Sequence, residues 1–114
     1  MKSVTNVIKI EELAEMAKKM YGNLVKAVVD LDNNSLVVDA EMHADEEGYL
    51  LEHGSKQSTL WGINLYPAKF GTDEFIEFDS MINIRPSLQN MSRGVEDNKT
   101  KELIINLVNQ KVQQ

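Results

Sequence analysis

Hydrophobic residues recur along this chain with changing period, and the changes divide it into elements. Residues 11–21, EELAEMAKKMY, place Leu13, Met16, Ala17 and Met20 three or four apart, with acids early and lysines late as a helix dipole favours. Gly22 follows as a stop. Ahead of this helix, Val4, Val7, Ile8 and Ile10 fit a short edge strand. LVKAVVDL (24–31) and SLVVDAEM (35–42) are rich in β-branched residues, and Asp32, Asn33 and Asn34 between them tolerate turn geometry, so a hairpin is expected. Alternation gives one face Val25, Ala27, Val29 and Leu31 with Leu36, Val38, Ala40 and Met42. The other face receives Lys26, Val28 and Asp30 with Val37, Asp39, Glu41 and His43.

Residues 44–54, ADEEGYLLEHG, read as a second helix, with acids in its first turn, Leu50 and Leu51 inward and Gly54 at its end. Gly48 weakens it by about 1 kcal/mol relative to Ala. In LWGINLY (60–66), Trp61, Ile63 and Leu65 alternate toward the core; in EFIEFDSMINIR (74–85), Ile76, Phe78, Ile82 and Ile84 share a face, and a second hairpin follows. Pro86 ends that strand because it cannot donate to a ladder. A last helix over 97–111 has Leu103, Ile104, Leu107 and Val108 inward and Asp97 or Asn98 as N-cap. The order α-β-β-α-β-β-α predicts an α+β fold. We expect a two-layer sandwich in which a mainly antiparallel four-stranded sheet of two hairpins carries about three helices on one face.

Length and composition confine the chain to one domain over residues 1–114: 114 residues, 42% hydrophobic and 26% charged, are enough for one core. Twelve Lys and Arg against 18 Asp and Glu give a net charge of −6, which argues against nucleic acid as a partner, because phosphate binding rests on a basic surface. The absence of cysteine excludes disulfides, thiolate metal sites and thiol nucleophiles. Neither a signal-peptide core nor a run of roughly 20 apolar residues occurs, so no membrane partner is expected and the expected location is the cytoplasm.

The candidate chemistry lies on the polar face. Under the two-layer arrangement that face carries Lys26, Asp30, Asp39, Glu41, His43, Asn64, Tyr66, Glu77, Asp79, Asn83 and Arg85. Asn is depleted in strands, yet Asn64 and Asn83 fall in mid-strand, and Arg85 beside Asp79 offers a planar donor fork next to a carboxylate. His43, Asn64, Tyr66, Asp79, Asn83 and Arg85, with Arg93 from the following loop, are therefore the candidate ligand-binding set. A solvated face with a cross-strand salt bridge uses the same residues. His43, Asp45, Glu46 and Asp79 form a second set that could hold a divalent metal or supply an acid/base pair. They lack the spacing of a zinc-protease helix or a calcium loop, and acids at 45–47 also suit a first helical turn. No cofactor is evident. The loop PSLQNMSRGVED (86–97) reads mainly as structural, with Asn90, Ser92 and Asp97 satisfying backbone groups.

The phrases LVKAVVD, MHADEE with LLEHGSKQSTLWGINLYP, and FIEFDSMINIRP with NMSRGVED resemble a family of small bacterial proteins of about this length that carries a domain-of-unknown-function label. The likeness spans residues 10 to 110 or so. LWGINLYP and FDSMINIRP are its most specific parts. That family typically has an Arg before Ser-Arg in the last phrase; Met91 stands there in this chain, removing one candidate anion contact. The resemblance implies no activity. Three classes of function stay open, and binding is favoured over catalysis. The first is a module that binds a small molecule, anion or peptide on the outer sheet face. The second is an interaction or structural protein that self-associates through its sheet, for example as a homodimer. The third is a metal-assisted hydrolase built on His43 and nearby carboxylates.

Overall fold

The computed structural model describes residues 1–114 as an α+β fold with three helices and a five-stranded antiparallel sheet. The strands are β1 (Lys2–Val4), β3 (Val25–Asp30), β4 (Ser35–Val38), β5 (Leu60–Leu65) and β6 (Ile76–Glu77), in the order β1-β4-β3-β5-β6. Two short strands, β2 (Ile8–Lys9) and β7 (Val112–Gln113), pair in parallel apart from this sheet. The helices are α1 (Ile10–Lys19), α2 (His43–Glu52) and α3 (Asn98–Lys111). The first expected hairpin forms with a shorter second strand, Val28 lying opposite Val37 and Asp30 opposite Ser35. β5 then lies on the other side of β3, placing Lys26 opposite Asn64 and Val28 opposite Gly62.

One face of the sheet buries Ala27, Val29, Leu36, Val38, Trp61, Ile63 and Leu65 against Leu13 and Ala17 of α1 and Ile104, Leu107 and Val108 of α3. The opposite face is not the solvated surface that alternation suggests. Val28, Val37 and Leu60 pack there beneath Leu50 of α2, with Tyr49 and Ile82 at the edge. The helices are thus split between two faces, and α2 roofs the side that carries the polar candidates. Leu51, Leu103 and Met20, placed inward by period alone, are exposed; on α3, Ile104, Leu107 and Val108 are buried as expected and Lys111 joins them.

Hydrogen bonding by short polar side chains explains where the strands stop. Asp39 adopts φ 71° just after β4, a left-handed conformation that Asp tolerates, so the strand ends at Val38 rather than Met42. Asp30 is buried and accepts from the backbone of Asp32 and Asn33, from the Asn33 amide and from the Ser55 hydroxyl at 2.5 Å. Burial alone would raise its pKa, yet these donors hold the carboxyl below its ordinary value. Asp30 therefore ties the β3–β4 turn to the loop after α2. Gly54, at φ +94°, makes that loop by ending α2 in the left-handed region.

The largest departure from the expected elements lies in residues 74–85. Only Ile76–Glu77 pairs with β5. The chain then leaves the sheet: the Ser80 amide donates to the Arg93 carbonyl at 2.9 Å, and the Ser80 hydroxyl accepts from Ile82 at the start of a 3-10 turn over Met81–Asn83. Side chains that bond their own backbone compete with a ladder, and the period of the apolar residues does not register that competition. As a result Ile82 faces the α2 side, Phe78 stays on the main core, and Ile84 is exposed.

Candidate functional site

Asn83 was expected to point outward from mid-strand, and the structure corrects this. It is fully buried in the 3-10 turn, where its side-chain amide stands in for a missing strand. Oδ1 accepts from the Gly62 amide at 2.8 Å, and Nδ2 donates to the Gly62 carbonyl at 2.9 Å and to the Arg93 carbonyl at 2.9 Å. One side chain thereby continues the hydrogen bonding of β5 beyond the two residues of β6. Asn90 organises the loop in the same manner. Its Nδ2 donates to the carbonyls of Asn83 at 2.8 Å and Gly94 at 2.8 Å, its Oδ1 accepts from Glu96 at 2.9 Å, and its backbone bridges to Arg85. Asp97 caps α3 through Thr100.

The expected Arg85–Asp79 pairing is also corrected. Asp79 instead holds Arg93 Nε at 2.6 Å. Arg85 is turned inward, with its guanidinium 5.0 Å from the centre of the Trp61 ring and Nη2 3.4 Å from Glu47. Nε and Nη1 of Arg85 are enclosed without protein partners, and burial lowers its pKa despite Glu47. This arginine braces α2 against β5. Tyr66 donates to Glu77 at 2.9 Å, and the same carboxylate oxygen takes Asn64 Nδ2 at 2.8 Å, so both serve the β5–β6 junction. Asn64 Oδ1 is enclosed and unpartnered.

The metal set separates as well. Glu46 is fully buried, with Oε2 accepting from the Ala40 amide at 3.1 Å and Oε1 unpartnered; burial pushes its carboxyl up to about 9, against the Ala40 hydrogen bond and the pull of Lys26. Glu46 is therefore a neutral acid at pH 7 and a poor metal ligand. No group of three or more His, Asp or Glu side chains is placed to hold a metal ion.

What does converge is a small cavity on the α2 side of the sheet. It has a volume of about 140 Å³ and is lined by Lys26, Met42, His43, Ala44, Ser80, Met81, Ile82 and Arg93. His43 and Arg93 come from the expected set. Lys26, in cross-strand register with Asn64, was on the expected polar face without being singled out, and its β3 position was the signal available. His43, 6% exposed, opens α2 and uses Nε2 to donate to the Ile63 carbonyl at 2.8 Å. No donor of the protein reaches Nδ1, which is not among the enclosed unpartnered atoms and so stays open to solvent. Burial lowers the His43 pKa, and Lys26 and Arg93 add to that, while the Ile63 bond and Asp79 oppose it. The N-cap of α2 is Met42, whose side chain takes no hydrogen bond from the first-turn amides. Lys26 makes no salt bridge; its ammonium lies 5.3 Å from the centre of the Tyr21 ring. The cavity is thus locally basic on a chain of net charge −6.

Four clefts are larger, of which one of about 700 Å³ is lined by Asp39, Glu41, Asp45 and Glu52 and one of about 260 Å³ lies between Leu31 and α3; two more flank the sheet. One, of about 530 Å³ beside Trp61, is edged by Glu96 and Asp97, both already engaged with backbone amides. The other, of about 460 Å³ between β6 and α3, is lined by Phe75, Ile76, Phe78 and Ile105 and carries no cation.

No helix is long and apolar enough to cross a membrane. No curated protein and no solved structure matches the chain significantly. Residues 2–111 match the family model described as "Protein of unknown function (DUF5674)", and the chain belongs to that family.

Proposed function

We propose that the protein binds a small anion in the cavity between the N-terminus of α2 and the 80–82 segment. The observation that carries this reading is the meeting of Lys26, His43 and Arg93 around the first turn of a helix with no side-chain cap. Uncapped first-turn amides and the positive end of the helix dipole favour an anion. Lys26 supplies a compact charge, and Arg93, held by Asp79 through Nε, keeps its other nitrogens for a ligand. A cavity of about 140 Å³ suits a ligand of roughly six heavy atoms, since an engineered cavity of similar size takes benzene. The location proposed remains the cytoplasm.

Self-association through the sheet has less support. The two edge strands, β1 and β6, are three and two residues long, which offers a partner strand little to pair with. The hydrolase reading has less support, because Glu46 is a buried neutral acid.

Thermal unfolding in orthophosphate tests the binding reading. A ligand at ten times its Kd stabilises the native state by about 1.4 kcal/mol, a rise in Tm of several degrees. Arg93→Gln and Lys26→Met are expected to remove most of that rise while leaving the Tm in phosphate-free buffer close to that of the parent. An identical rise in both variants would place the anion elsewhere, and no rise up to about 50 mM orthophosphate would sink the reading.

A further inference from the structure

The cavity holds donors and one acceptor, and the acceptor narrows the ligand. A carbonyl oxygen can only accept, so the bond between Ile63 and His43 fixes the proton of the neutral imidazole on Nε2. Nδ1 is then a bare lone pair on a side chain that is more than nine-tenths buried, lines the cavity and finds no donor in the protein. Lys26, Arg93 and the first-turn amides of α2 can only donate. An anion made solely of acceptors, such as acetate or sulfate, satisfies these donors and leaves Nδ1 facing another lone pair. We infer that the cavity takes a small oxyanion that carries its own O–H donor, with the anionic oxygens on Lys26, Arg93 and the amides of α2 and the hydroxyl donating to His43 Nδ1. This rests on the anion-binding reading above and adds ligand selectivity to it.

Two sources supply that chemistry at the size of the cavity: a short 2-hydroxycarboxylate, or phosphate in its monohydrogen form. Each has a counterpart that differs chiefly in lacking the hydroxyl, acetate for glycolate and sulfate for phosphate. The exposed methionines at the rim, Met42 and Met81, add a flexible apolar lip that accommodates a methyl-sized substituent, as in lactate.

Calorimetric titration at pH 7.5 with the two pairs is the test. An unpaired buried acceptor corresponds to about a tenfold difference in affinity, so glycolate is expected to bind about 10-fold more tightly than acetate, or phosphate than sulfate. A preference within only one pair identifies the source. His43→Gln places an amide where Nε2 donates to Ile63 and removes the acceptor at the cavity; it is expected to level the two members of the preferred pair. In the unaltered protein, the ¹⁵N resonance of His43 Nδ1 is expected to move with the hydroxyl-bearing ligand and not with its counterpart, a readout independent of how the variant folds. Equal affinities within both pairs, or an unmoved Nδ1 resonance at saturation, would overturn the selectivity and leave anion binding standing. No binding by any of the four would remove both.

Discussion

At the scale of single residues, Glu46 and His43 show how burial sets charge in this protein. Both sit on the inner side of α2, three residues apart, and both are neutral at pH 7 for opposite reasons: the acid keeps its proton and the imidazole sheds one. Their effects on stability have opposite signs. Folded Glu46 holds its proton up to about 9, whereas the unfolded carboxyl loses it near 4.5. Between those values stability falls by about 1.4 kcal/mol per unit of rising pH, which amounts to roughly 3 kcal/mol at pH 7. His43 works the other way: its folded pKa is lowered from 6.5, so its contribution is present above that pH and is lost as pH falls through it toward the lowered value. Below pH 6.5 the two slopes oppose each other, and above it Glu46 acts alone. Glu46→Gln is therefore expected to raise stability by about 3–5 kcal/mol at pH 8 and to flatten the alkaline side of the profile, as measured by urea unfolding at pH 6, 7 and 8. An unchanged slope between pH 7 and 8 would mean that Glu46 is ionised in the folded chain.

At the scale of elements, β5 carries the sheet across to the α2 side, and its outer edge is completed by a strand at one end and by a side chain at the other. β6 pairs with Asn64 and Leu65; Asn83 pairs with Gly62. The turn that presents Asn83 also packs tightly, since a Cβ on Gly62 would stand 2.5 Å from the Ser80 hydroxyl oxygen. Asn83→Ala would leave the Gly62 amide and carbonyl without partners in a buried place and the Arg93 carbonyl with the Ser80 amide alone. We expect a loss of about 2–4 kcal/mol in equilibrium unfolding, with faster amide exchange at Gly62, whose N–H donates to Asn83. A loss below about 0.5 kcal/mol would contradict the role given to this side chain. The elements themselves were readable from period: the three helices, the first hairpin and β5 follow their apolar residues closely. The segment 78–97 was not, because Ser80, Asn83 and Asn90 bond backbone groups far along the chain, and spacing cannot show which carbonyl a side chain will meet. That is also why Arg93 takes the Asp79 partner expected for Arg85, while Arg85 turns in toward Trp61 and Glu47.

At the scale of the whole molecule, the question was whether the polar face is merely solvated. It is covered: α2 and the 80–83 turn close over β3 and β5, and what stays open is one basic cavity on an acidic protein. Alternation put Lys26 and Asn64 on one side of the sheet, where they are in register, whereas His43 reaches that side from the start of α2 and not from a strand. The pattern gave no sign of the second layer, because α2 has few large apolar residues beyond Tyr49, Leu50 and Leu51 with which to announce a buried face. Electrostatic attraction and a preformed helix terminus then act together at a single point. The most direct test is a ¹H–¹⁵N correlation spectrum recorded while orthophosphate is added. Progressive, saturable shifts confined to the amides of His43, Ala44, Asp45, Ser80, Met81, Ile82 and Arg93 are the predicted result. Shifts clustered instead at Thr59, Trp61 and Thr100, or none at all, would contradict it.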